Sequence, residues 1–318
     1  MIRALRASDA IAVTLGRGRS GMREMAARTW PKSPPENRDI SFLSLIRQLL
    51  LHRGPIPYAG VAVGDGRPRG LIAARMRASG LVWDVEHLKS DSREAAVELL
   101  RWGCAQALQA RVRRVFFETP DDGMGAEVAE RSSFQRYTQG TVYALPAGFP
   151  VDVGDSVPAR PRLRSDETSL FQLYNAAVPA NVRAAEALTH EEWAALYPGR
   201  KLWTPSLLGD RQDYVWELGS RVVGWMRVEF GARSQHLDLL VHPQYEAHAE
   251  RMVRNALAQM SSKVPVLVDV REYQGAVRLA LEHIGFLPGD AYAAWVYQLA
   301  ERIAEPAIAG IRAPIHPS

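Results

Sequence analysis

One cysteine, Cys104, stands in 318 residues. That excludes an intramolecular disulfide and any cysteine-rich zinc site. It sits in the apolar stretch Leu99-Leu100-Arg101-Trp102-Gly103-Cys104-Ala105 and reads as a buried structural thiol. Lysine is nearly as scarce. Only Lys32, Lys89, Lys201 and Lys263 occur, so arginine makes up the other 35 of the 39 basic residues. The arginines are scattered, with Arg111-Val112-Arg113-Arg114 the densest group, whereas nucleic-acid readers concentrate charge on one face. Nucleic acid is therefore not an expected partner. No apolar run nears the roughly 18–20 residues of a membrane span, and the start, Met1-Ile2-Arg3-Ala4-Leu5-Arg6, lacks a secretion pattern. No membrane association is expected, and the expected location is cytoplasmic.

Motifs of metal and nucleotide chemistry are also missing. There is no P-loop, no G-x-S-x-G elbow and no H-E-x-x-H helix. His236, His242 and His248 recur regularly, but a strand, a turn and a helix intervene, so no metal site is expected. Gly16-Arg17-Gly18-Arg19-Ser20-Gly21 matches a dinucleotide fingerprint, followed by a helix-like Met22-Arg23-Glu24-Met25-Ala26-Ala27. The acid-ended strand that should come next is replaced by Trp30-Pro31-Lys32-Ser33-Pro34-Pro35-Glu36, which cannot form a central strand. The stretch reads as a loop before a helix.

What is present is ample core material, 47% hydrophobic residues, arranged as an internal repeat. Tyr58–Val63 and Arg69–Met76 read as a hairpin, Leu81–Leu88 as a third strand, and 92–110 as a helix. Val112–Glu118 reads as a buried strand, Met124–Arg131 as a short helix, and Phe134 to Leu145 as a closing aromatic hairpin. The same order returns at Tyr214–Leu218, Val222–Val228, His236–Val241, a helix over 246–260, Val264–Val270, a helix over 275–283, and Gly285 to Tyr297. Gly70 and Gly224 lie 154 residues apart, and Phe134 and Phe286 lie 152 apart. So small a drift across a whole unit marks a duplication. Front helices are expected at 41–50, 170–174 and 191–197. The domains expected are 1–148 and 161–302, with a Pro/Gly-rich linker at 149–160 and a Pro-rich tail at 303–318.

This order resembles the GNAT superfamily of acyl-CoA-dependent N-acetyltransferases. The residues that carry the resemblance are Val223-Gly224-Trp225-Met226, Leu239-Leu240-Val241-His242-Pro243 and His283-Ile284-Gly285-Phe286, with Leu163-Arg164-Ser165-Asp166 and Leu5-Arg6-Ala7-Ser8-Asp9 at the fronts. The resemblance implies an α/β (α+β) fold of two tandem GNAT-like domains, each a mixed, mostly antiparallel sheet flanked by helices. It implies acetyl-CoA as cosubstrate and an amine of a small molecule or peptide as acceptor. It places the pantetheine-binding wedge, where the third strand splays from its parallel neighbour, at Leu239, Leu240 and Val241. The first unit's counterpart lies at Val85, Glu86 and His87. The pyrophosphate grip falls at the start of the long helix, with Ala249, Arg251 and Met252 as cofactor-binding positions.

Departures from the pattern are as informative. The Q/R-x-x-G-x-G/A loop has no glycine in Tyr245–Met252 or in Lys89–Ala96, and Glu246, Glu250, Asp91 and Glu94 set like charge toward phosphates. The usual tyrosine acid is Leu281 in one unit and Ala129 in the other. Tyr273 is a substitute acid or a strand-end core aromatic. Asp238 is a candidate base, with Asp84 as its repeat equivalent, and the alternative for both is a solvated or arginine-paired carboxylate. Two functions follow: an N-acetyltransferase-like enzyme working from its second unit, or a non-catalytic tandem module that binds a small molecule or a protein.

Overall fold

The structure, a computed structural model, describes residues 1–5, 9, 21–27, 58–64, 67–77, 80–121, 123–148, 159–186, 189–196, 210–231 and 234–299. The glycine run at 16–20, the expected helix at 41–50, position 197, the linker at 149–158 and the tail at 303–318 lie outside these residues. The first half runs β1 (Ile2–Ala4), β2 (Arg23–Glu24), β3 (Tyr58–Gly64), β4 (Arg67–Met76), β5 (Val82–Ser90), α1 (Arg93–Gln109), β6 (Arg114–Pro120), α2 (Met124–Arg131) and β7 (Gln135–Leu145). The second runs β8 (Arg160–Pro161), α3 (Glu167–Ala177), α4 (Ala180–Glu186), α5 (His190–Leu196), β9 (Asp210–Leu218), β10 (Arg221–Phe230) and β11 (Gln235–Val241). After a 3-10 segment (Pro243–His248) come α6 (Ala249–Ala258), β12 (Val266–Arg271), α7 (Gly275–Ile284) and β13 (Leu287–Gln298).

Local chemistry explains the element ends, and explains them twice. Ser92 caps α1 by accepting the Ala95 N–H at 3.4 Å. α2 and α7 both stop on a left-handed residue, Ser133 at φ +65° and Gly285 at φ +107°. The next N–H groups, of Phe134 and Phe286, then close onto the Ala129 and Leu281 carbonyls at 3.0 and 2.9 Å. Each front strand carries a two-pronged clasp: Arg3 grips Asp9 at 2.6 and 2.8 Å, and Arg160 grips Asp166 at 2.7 and 2.8 Å.

Three local expectations need correction. The helix expected from 246 begins at Ala249, because 243–248 winds as a 3-10 segment broken at Tyr245 (φ −121°, ψ 18°). The helix-like Met22–Ala27 is extended, because its backbone hydrogen bonds go to the sheet instead of to its own next turn. The closing aromatic hairpins are single long strands, β7 and β13.

Those two strands also change places. The described strands form one sheet in the order β1-β3-β4-β5-β6-β13-β7-β12-β11-β10-β9-β8, with β2 beside β5. Only β5–β6 and β11–β12 pair in parallel. β7 ends the first repeat but pairs with β12, from Val266↔Leu145 to Arg271↔Gly140. β13 ends the second repeat but pairs with β6, from Tyr292↔Pro120 to Gln298↔Arg114. Accordingly Ala293 and Trp295 pack in the first core, under α1 and α2, while Tyr143 and Leu145 pack in the second, under α6 and α7. Each repeat's sheet is completed by the other's last strand.

Along β9 and β10 the side chains alternate between two layers. Trp216 and Met226 join the core under α6 and α7, while Val215 and Trp225 face Leu170, Leu173 and Trp193 of α3 and α5. Among the described residues no helix is long and apolar enough to cross a membrane.

Candidate functional site

β11 and β12 pair only at Gln235↔Val266, His236↔Leu267 and Leu237↔Val268. Beyond these pairs no ladder joins them, which leaves a wedge. Gln235 N–H donates to Pro265 C=O at 2.9 Å, so by strand alternation the backbone groups of Leu239 and Val241 also face β12. Their side chains are buried in the core under α6, whereas Leu240 turns to the opposite face and packs with Tyr273 and Trp225. Ala249 and Met252 are core residues of α6, and Arg251 is exposed. Met252 Sδ and the Trp216 ring leave no room for a Cβ at Gly224 (2.8 and 2.9 Å), so glycine is required there. Glu250 sits at the helix start, but its charge is met by Arg254 and His283, each at 2.8 Å, which hold its carboxyl below the ordinary range. Glu246 is exposed.

On the opposite face of the sheet lies a row of charge. Arg227 of β10 stands between Asp213 of β9 and Asp238 of β11. Arg227, 4% exposed, donates to Asp213 at 2.8 Å. Among the described residues nothing hydrogen-bonds the Asp238 carboxyl. Burial pushes Asp238 up to about 7; Arg227 pulls it down, while Asp269 and Glu229 push it higher. It nevertheless keeps a partly exposed surface. A carboxyl that lacks a hydrogen bond and is raised to near neutrality by burial fits the requirements of a general base. Next in the row, Asp269 accepts the Tyr292 hydroxyl and is likewise raised by burial.

Asp84 is placed differently. Arg77 grips it with two hydrogen bonds, 2.8 and 2.6 Å, and lies over the Phe116 ring at 4.4 Å. Burial lowers the Arg77 guanidinium, but Asp84 more than offsets this and raises it. Asp84 is thus the arginine-paired carboxylate of the alternative reading.

The first unit's wedge is filled by its own chain. β5 bulges at Glu86 and leaves β6 after Val85↔Phe117. β2 lies along the freed edge, Arg23↔Ser90 and Glu24↔Lys89. Met25 N–H donates to Leu88 C=O at 2.9 Å on one side, and Ala27 N–H to Glu118 C=O at 2.7 Å on the other. Glu24 locks this strap, accepting the Leu88 and Ala26 N–H groups at 2.9 and 3.2 Å and meeting His87 Nδ1 at 3.0 Å. Met25 is 2% exposed, and the missing side chain of Gly125 makes room for its carbonyl (a Cβ there would lie 2.8 Å from it). Nothing in the sequence flagged the strap except the pairing of small and apolar residues at 25–27.

Gln274 also escaped the sequence reading. Its side chain lies in the second wedge, donating to Leu239 C=O at 2.8 Å and accepting Arg271 N–H at 2.9 Å. His236 meets Ser234, His242 meets Arg221, and the Tyr245 ring stands beside both His242 and His248. Among the described residues no group of three or more His, Cys, Asp or Glu is placed to hold a metal ion.

No family model matches the chain, and no curated protein is matched. Solved structures are. A GCN5-related N-acetyltransferase from Sphaerobacter thermophilus is similar at TM-score 0.57 and 15% identity, over 94% of this chain and 95% of that one. A tandem GNAT protein from the clavulanic acid biosynthesis pathway is similar at TM-score 0.53 and 16% identity, over 94% and 98%. N-myristoyltransferase of Saccharomyces cerevisiae, with bound myristoyl-CoA, is similar at TM-score 0.50 and 8% identity, over 93% and 80%. At these identities the likeness is one of fold: the chain has the tandem GNAT architecture.

Proposed function

We propose, from the tandem GNAT fold shared with those structures, that this chain is an acyl-CoA-dependent N-acyltransferase working from its second unit. The donor is acetyl-CoA or a related acyl-CoA, and the acceptor is an amine of a small molecule or peptide. The observation that carries this reading is Asp238, poised near neutrality beside the splayed β11–β12 wedge, while its counterpart Asp84 is spent on Arg77.

In this mechanism the amides of the pantetheine arm pair with the backbone of Leu239 and Val241, the wedge-facing residues of β11, and its phosphates lie toward Ala249, Arg251 and Met252. Asp238 takes a proton from the acceptor ammonium, directly or through one water. The free amine attacks the thioester carbonyl, the C–N bond forms, the nitrogen gives up its second proton to water, the C–S bond breaks, and the thiolate leaves as a thiol after taking a proton. Tyr273, beside Leu240, is the candidate donor of that proton. The first unit is structural, its wedge occupied by residues 23–27.

A second reading has specific support too. Both wedges are closed from within and the helix start lacks glycine, as suits a non-catalytic module. Calorimetric titration of the full chain with acetyl-CoA separates the two. The enzyme reading expects one site per chain with a Kd below about 100 μM, roughly −5.5 kcal/mol. No heat and no thermal shift at millimolar acetyl-CoA would overturn it in favour of the binding module.

A further inference from the structure

The two wedges are closed by groups of different kinds, main chain in one and a side chain in the other. In the first, main chain from 23 to 27 bridges β5 and β6, with Met25 buried and Glu24 making three contacts. In the second, one carboxamide does the bridging. Gln274 Nε2 gives Leu239 C=O its donor at 2.8 Å, and Gln274 Oε1 gives Arg271 N–H its acceptor at 2.9 Å. The orientation is fixed by the partners, since a carbonyl requires the NH2 end and an N–H requires the oxygen. Immediately outside is a cleft lined by Leu240, Val241, Glu246, Tyr273, Ala276 and Val277, with room for a water's centre of only about 20 Å³. That is space for about one water and not for an acyl carrier's arm.

We infer that Gln274 is the gate of the second wedge and selects for an arm that carries an amide. The inference rests on the acyl-CoA reading and adds to it a residue and a selectivity rule. A carboxamide has the same donor and acceptor as a secondary amide. An arm with an amide can take over Leu239 C=O and Arg271 N–H as Gln274 rotates outward, leaving neither backbone group unsatisfied. A thioester on an arm without an amide would strand both, and a stranded buried polar group is costly. Gln274 stands at the first turn of α7, and the space around Gly275 is open, with nothing within 4 Å of a Cβ built there. The strap of the first wedge cannot move in this way, because its hydrogen bonds belong to continuous backbone on both sides.

The test uses the full chain as wild type, Gln274→Ala and Gln274→Glu, each titrated calorimetrically with pantetheine and with acetyl-CoA, with folding followed by circular dichroism. Glu keeps an acceptor for Arg271 N–H but has no donor for Leu239 C=O. The gate predicts that both variants bind both ligands more tightly than wild type, Ala by about tenfold and Glu by less, since no bridge has to be broken. Binding by the variants with no heat from wild type overturns the gate, because a bridge that never opens in the wild-type chain selects no arm. Equal affinities in all three proteins overturn the gate and leave the acyl-CoA reading standing. No heat from any protein with either ligand overturns both.

Discussion

Glu118 and Arg271 occupy equivalent places in the two repeats, and their side chains meet, with Arg271 Nη2 donating to Glu118 Oε1 at 3.0 Å. Each lies three residues beyond the strand position that faces the equivalent residues Trp83 and Leu237. Arg271 also lies over the ring of Tyr292, 5.0 Å away, on the strand inserted beside β6. The exchange of β7 and β13 is therefore sealed by a contact across the repeat's own symmetry.

Gly140 tests that seal. A Cβ at this position would fall 2.3 Å from the Tyr292 hydroxyl oxygen, and Tyr292 is held by Asp269 and Arg271. Gly140→Ala should cost about 1–3 kcal/mol by overpacking, read by urea denaturation. Tyr292→Phe made in both backgrounds should show non-additivity, because it removes the nearest clashing atom.

Asp238 should govern the rate through neutrality. Turnover is expected to rise with pH as the carboxyl ionises near 7 and then level off, and Asp238→Asn should lower it at least a hundredfold and abolish that limb. Its folded pKa lies above the unfolded value, so its protonated state favours the fold, and wild-type stability falls between about pH 4 and 7. Relative to wild type, Asp238→Asn should gain on the order of 1–3 kcal/mol between pH 4 and 8. A flat difference in stability would remove the raised carboxyl from the account.

Asp84→Asn should do the reverse. It breaks the partly buried pair with Arg77 and should cost about 1–3 kcal/mol, while turnover stays within twofold of wild type. A large loss of rate at normal stability would return the first unit to the chemistry.

Glu24→Ala removes the acceptor of Leu88 and Ala26 N–H and should cost about 1–3 kcal/mol, with faster hydrogen exchange at both amides. Burial alone would raise the Glu24 carboxyl, but His87 and the Leu88 N–H outweigh it and hold it low. The stabilisation it gives is thus present above the unfolded pKa and lost as pH falls below about 4. Wild type and variant should converge in acid, and a constant gap down to pH 2 would count against the strap's lock.

The duplicated order of hairpin, strand, helix, strand and helix was legible from the residues, because alternation, caps and turn glycines are local and written side by side. So was the pairing of Asp84 with Asp238 as equivalents, since a constant offset needs no coordinates. Their different fates were not. Arg77 grips one carboxyl and Arg227 leaves the other unbonded, a matter of side-chain reach across strands. Strand neighbours were equally hidden: period-two patterning says which face of β7 is buried, but β6 and β12 offer equally apolar company, and the sheet decides between them. The occupants of the two wedges, residues 23–27 and Gln274, meet partners many positions away in the chain, and only folding brings a donor to a stranded carbonyl.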